Sequence, residues 1–185
     1  MVYRQGVLHG QYAGNSVTWD RIRCVSARED EQRAAEGSHP LPSTAPLRGA
    51  ALAAGLLESA CAPGADDPLR LGAIRELARE LTEELETLAA LVNDETVTVE
   101  GALRAADLAN LAACAVPELL GTSTPQGAAV VYLAAGSVRA LCILTEAAFG
   151  DARGEHAQNV LKDVRGATWR AQLAVRQVDE FLEAD

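Results

Sequence analysis

The chain has 185 residues, enough for one domain with an appended arm. Nearly half of it is apolar but only 4% is aromatic, so the core must be built from Ala, Leu and Val, small side chains that favour closely packed helices over a sheet sandwich. The formal net charge of −10 repels phosphate backbones and anionic lipid surfaces, which argues against nucleic acid and membrane as partners.

Lys162 is the sole lysine; the preference for arginine, with the abundance of alanine, suggests a GC-rich bacterial genome. The first residues lack a charged segment followed by an apolar one, so a cytoplasmic location is expected. Cys24, Cys61, Cys114 and Cys142 form no CxxC pair and no zinc-ligand spacing. They read as reduced thiols, with Cys114 and Cys142 packed in apolar runs, and no metal is expected.

Residues 1–25 carry two apolar clusters, Val2 to Tyr12 and Val17 to Val25, around the turn-prone Ala13-Gly14-Asn15-Ser16. They read equally as a β-hairpin or as a mobile arm. Ser26 opens a capping-box spacing, which predicts a short helix over 27–35. A proline-rich linker over 37–46 follows. The chain therefore divides into an arm and linker, 1–45, and a helical bundle, 46–185.

Five helices are expected in that second part, giving an all-α, up-and-down bundle. The first, about Pro46 to Cys61, is nearly all small residues, with Pro46 suited to a first turn. The second, about Pro68 to Val92, sets Leu71, Ile74, Leu77, Leu81, Leu85, Leu88 and Val92 on one stripe. Its opposite side is acidic; Glu80 and Glu84 are a carboxylate pair there, best read as a solvated face. The third is expected from the N-cap Thr98 to Val116, where Pro117 ends or kinks it.

The fourth helix, from Thr124 and Pro125 to about Phe149, is apolar nearly all round, so it is expected to be surrounded. It resembles a membrane span in length. Arg139 at its middle would cost roughly 2.5–3.5 kcal/mol there, so a bundle core is the better reading. The fifth, about Glu155 to Leu182, has an apolar stripe from Ala157 to Leu182. Five helices cannot easily enclose an all-apolar fourth helix, so a homodimer or higher oligomer is expected.

Tyr132, Arg139 and Glu146 recur every seven residues and share one face of the fourth helix. Each needs a partner from another helix, or else lines a cleft or a subunit interface. The turn before it, with Thr122, Ser123, Thr124 and Gln126, offers hydroxyls at a helix start, where an anion could bind. These residues, with Tyr132 and Arg139, are the candidate ligand contacts. Arg139, Glu146 and His156 are the candidate catalytic groups; His156 is also read as an exposed histidine beside Asp151 and Asp163. No nucleophile elbow and no phosphate loop is present.

The segment order, with Leu119-Leu120-Gly121, the Ser/Thr turn and Gln126-Gly127-Ala128-Ala129, resembles the formiminotransferase-cyclodeaminase and methenyltetrahydrofolate cyclohydrolase family. The resemblance covers residues 46–183 in layout. It implies an all-helical dimeric fold and, as ligand, a folate derivative. Three positions depart from the family pattern. Ser43 to Gly49 replaces its glycine-rich opening, Pro125 replaces the aspartate of its Ser-Asp pair, and Ile143 and Ala147 stand near its late asparagines. Two functional classes follow: a small-molecule enzyme or binder of cyclodeaminase-like build, or a non-catalytic helical protein that works by association, with the arm as contact element.

Overall fold

The computed structural model describes residues 44–61, 68–91, 95–119, 123–149, 152 and 154–184. The expected hairpin or arm, the helix over 27–35, Cys24 and the linker up to residue 43 lie outside them, as does Thr122; residues 44–46, expected in the linker, instead form the first turn of the first helix. Among the described residues there are five long helices and no strand: α1 (Thr44–Ala60), α2 (Pro68–Ala90), α3 (Glu95–Ala115), α4 (Ser123–Phe149) and α5 (Glu155–Ala184). The all-α bundle read from the hydrophobic periodicity is therefore the fold. α3 begins three residues before Thr98, whose side chain is buried rather than capping. Pro117 does end α3: the chain tightens into one 3-10 turn, Val116–Glu118, and the Leu119 N–H reaches the carbonyls of Ala115 and Val116.

Polar pairs at the rims of the bundle give the helix directions. Arg70 meets Glu118 and Arg104 meets Glu84, so moving up α2 moves down α3. Tyr132 meets Asp179 and Glu146 meets Arg165, so α4 and α5 are antiparallel and in step. Glu95 meets His156 and Asp107 meets Arg170, so α3 and α5 run parallel. This is the up-and-down order that short connections impose.

The helices form two layers. α4 lies between α1 and α5 in one layer, and α3 lies behind, against α2, α4 and α5. α3 is the most enclosed: eleven of its 21 residues are buried, against ten of 27 in α4. Seven of those eleven are alanines, which let three neighbours approach its backbone. Gly101 marks the tightest point. A side chain there would collide with the end of Leu47, which comes from α1 and is fully buried.

Complete enclosure was expected for α4; in the single chain it is enclosed on three sides. Val130, Val131, Val138 and Leu141 are fully buried, while Leu133 and Ile143 are 45% and 51% exposed. α4 is also the one described helix long and apolar enough to cross a membrane, and half of its most apolar stretch is buried within the bundle.

Leu141 and Ile143 sit two residues apart on opposite sides of this boundary. Leu141→Ala is expected to cost roughly 2–5 kcal/mol, and Ile143→Ala within about 0.5 kcal/mol in the single chain. Urea unfolding of both variants at high dilution checks the contrast.

Candidate functional site

The stripe Tyr132, Arg139 and Glu146 lies where the sequence places it, along one edge of α4, but it does not gather round a cavity. The edge is the seam with α5, and α5 answers two of the three residues. The Tyr132 hydroxyl donates to Asp179 Oδ1, and Arg165 Nε donates to Glu146 Oε1 at 3.0 Å. The Asp179 carboxylate holds the phenol in its protonated form and pushes its pKa up. Arg139, between them, is exposed and has no ion-pair partner among the described residues. A structural ion pair for Arg139, the expected default, is therefore not made by those residues. The Tyr132 and Glu146 contacts are exposed rim pairs that fix the register of two helices.

At the start of α4, Thr124 does not act as the N-cap, because the helix already begins at Ser123. Its hydroxyl donates instead to the Leu119 carbonyl at 2.7 Å and ties the helix start to the end of the 3-10 turn. Gly127 supports the same junction, since a side chain there would meet Leu119 and Val116. Gln126 is exposed and Ser123 half-buried. The turn and Glu146 lie at opposite ends of α4, so these candidate contacts cannot surround one small ligand.

His156 is paired with an acid distant in sequence. Glu95, at the first turn of α3, meets its Nε2, and this contact joins the N-termini of the two parallel helices. A partner 61 positions away leaves no local signal in the sequence. Cys61 and Cys142 are buried, whereas Cys114 is exposed, contrary to its expected packing role. Cys114 follows Ala112 and Ala113 out of the core by one step round α3. Burial pushes the Cys61 thiol pKa up, partly offset by the Arg75 charge.

One charge cluster involves Glu84, expected on a solvated face. Glu84 turns towards α3, where Arg104 Nε lies 3.1 Å from it and 2.8 Å from Glu100. Arg170 Nη1 meets Asp107 at 2.8 Å one turn further along α3. Desolvation pushes the Glu84 pKa up; Arg104 opposes this, and Glu100, Glu80 and Asp107 reinforce it. The i,i+4 spacing of Glu100 and Arg104 was the available signal.

Buried Ser137 and Thr145 return their hydroxyls to the carbonyls of Leu133 and Leu141, and no buried side-chain N or O among the described residues lacks a partner. No group of three His, Cys, Asp or Glu that could hold a metal occurs among those residues. One open groove runs between α1 and α2, lined by Arg48, Leu52, Gly55, Leu56, Thr82 and Glu86 among others. No protein-family model matches this chain, and no curated protein sequence does.

Two measurements test this geometry. Arg139→Met should leave unfolding within about 0.5 kcal/mol of the parent, as for other exposed unpaired side chains. Ionised Glu84 is disfavoured in the fold relative to the unfolded chain. Stability linked to its raised pKa is fully present at low pH and lost as pH rises through its folded-state titration. Glu84→Gln should therefore raise the melting temperature at neutral pH, with the gain shrinking near about pH 4. A lowered melting temperature at neutral pH would show that the pairing with Arg104 outweighs the desolvation.

Proposed function

We propose that this chain is a non-catalytic helical association module, and that it works by binding a second copy of itself through the open side of the α1–α4–α5 layer. The observation that carries this reading is the outward row of α4: Ala129, Leu133, Gly136, Ala140, Ile143 and Ala147. These six recur at alternating steps of four and three, the spacing of a helix seam that meets another helix. All are exposed except half-buried Ala140.

The row does not stand alone. Trp169 and Leu173 of α5 are 62% and 38% exposed. On α5 the outward residues follow Arg165 and Asp179 by one step round the helix. On α4 they follow Tyr132 and Glu146 in the same way. The two outward rows therefore flank one seam and continue one surface. Apolar side chains scattered singly need no explanation, but large ones grouped on one face, here Leu133 and Ile143 beside Trp169 and Leu173, mark an interaction surface.

With Tyr132 and Glu146 engaged by α5, the geometry favours association over the folate chemistry that the cyclodeaminase resemblance implies. The contact element differs from the N-terminal arm suggested by sequence, since the α4 row lies within the bundle itself.

Light scattering at micromolar concentration is expected to give twice the chain mass of 19.4 kDa. The melting temperature should rise with protein concentration, because only the folded dimer gains from mass action. The double variant Leu133→Glu, Ile143→Glu should run as a helical 19.4 kDa monomer. A parent that is monomeric under these conditions would overturn the reading.

A further inference from the structure

The outward row of α4 is a palindrome in side-chain size: small, large, small, small, large, small. Its midpoint falls at position 138, between Gly136 and Ala140. Turned end for end, the row matches itself. Ala129 then lies opposite Ala147, Leu133 opposite Ile143, and Gly136 opposite Ala140. Each large residue meets a large one on either side of a centre where only small residues stand, so two α4 backbones can approach closely there.

α5 carries an independent observation. Its outward row is Lys162, Gly166, Trp169, Leu173, Arg176, Glu180 and Glu183, spaced by the same fours and threes and exposed throughout. The α4–α5 register ties the two rows together. Tyr132 is level with Asp179 and Glu146 with Arg165. Six residues onward from 132 is 138, and six residues back from 179 is 173. Leu173 is thus level with the centre of the α4 palindrome. Charge is distributed about the same point, with Lys162 near the start of the α5 row and Arg176, Glu180 and Glu183 beyond Leu173, an end that is net negative.

Resting on the association reading above, we propose that the second copy docks antiparallel, about a two-fold axis that crosses α4 at position 138 and passes beside Leu173. The axis sets α4 on the partner's α4 and α5 on the partner's α5. Lys162 of each copy then faces the acidic end of the partner's α5, and the two Leu173 side chains approach across the axis. A parallel pairing would match the α4 rows equally well. It would, however, set α5 against the partner's α1 and leave the α5 charges unmatched. Charge complementarity therefore selects the antiparallel arrangement.

Cross-linking in the full chain tests this, with Cys24→Ser and Cys114→Ser as background. Leu133→Cys and Ile143→Cys are made separately. In the antiparallel dimer two copies of position 133 are about 15 Å apart along the axis, beyond the reach of a disulfide, which needs Cα atoms within about 7 Å. Each variant alone should stay uncross-linked on oxidation, and an equal mixture should form the mixed disulfide dimer. Cross-linking of each variant with itself would overturn the two-fold arrangement while leaving association intact. Absence of every cross-link from samples that remain dimeric by light scattering would do the same. Should either cysteine weaken the dimer, Ala129→Cys and Ala147→Cys, joined by a flexible bis-maleimide, give the same readout from near-isosteric changes. A monomeric parent would defeat the association reading itself.

Discussion

The structure depends on close approach to α3. Its buried side is mostly small: Ala102, Ala105, Ala106, Ala109, Ala112, Ala113 and Ala115, with Gly101 near the start and Leu108 as its one buried leucine. Side chains this small hold the neighbouring helices through backbone proximity rather than through interlocking bulk. Apart from Leu108, larger buried groups come from the other helices: Leu47 from α1, Leu85 from α2, Val131 and Leu141 from α4, Val164 and Val178 from α5. With only 4% aromatic residues in the chain, the core has few large anchors with which to fix one arrangement over another. Register therefore depends more heavily on the edges.

That task falls to the rim polar pairs. Individually such pairs contribute little to stability when exposed. Their contribution here is directional, because each ties a point on one helix to one height on the next. Tyr132–Asp179 and Glu146–Arg165 are fourteen residues apart on both helices, so together they exclude a slip of one turn between α4 and α5. Glu95–His156 and Asp107–Arg170 do the same for α3 and α5. The candidate catalytic residues of the sequence are largely these ties.

α2 and α5 are legible from a hydrophobic stripe, and the other helices from composition and from the proline and glycine that punctuate them. The stripe places the end of α2 within two residues of Ala90, and Pro117, expected to end or kink α3, ends it. The start of α3 was read late because Thr98 matches a capping preference while Glu95 carries a long-range contact with His156. The site was legible only as a row of positions. Tyr132, Arg139 and Glu146 do share an edge, but a heptad spacing says nothing about which residues of another helix stand opposite. Glu84 was misplaced for a related reason. It lies in an acidic run that is mostly solvated, and only the direction of α3 beside it shows that it turns inward.

The fourth helix shows how far hydropathy alone can carry an inference. A helix apolar on every side must be covered on every side, but the sequence does not distinguish cover by its own chain from cover by another. Here α1, α3 and α5 cover three sides. The remaining strip has the size pattern of a surface that fits its own reverse. The same α4–α5 register that orders the inside of the bundle thus also sets the layout of its outer face. A change at Asp179 or Arg165, remote from the α4 row, would shift that face by altering the step between two helices.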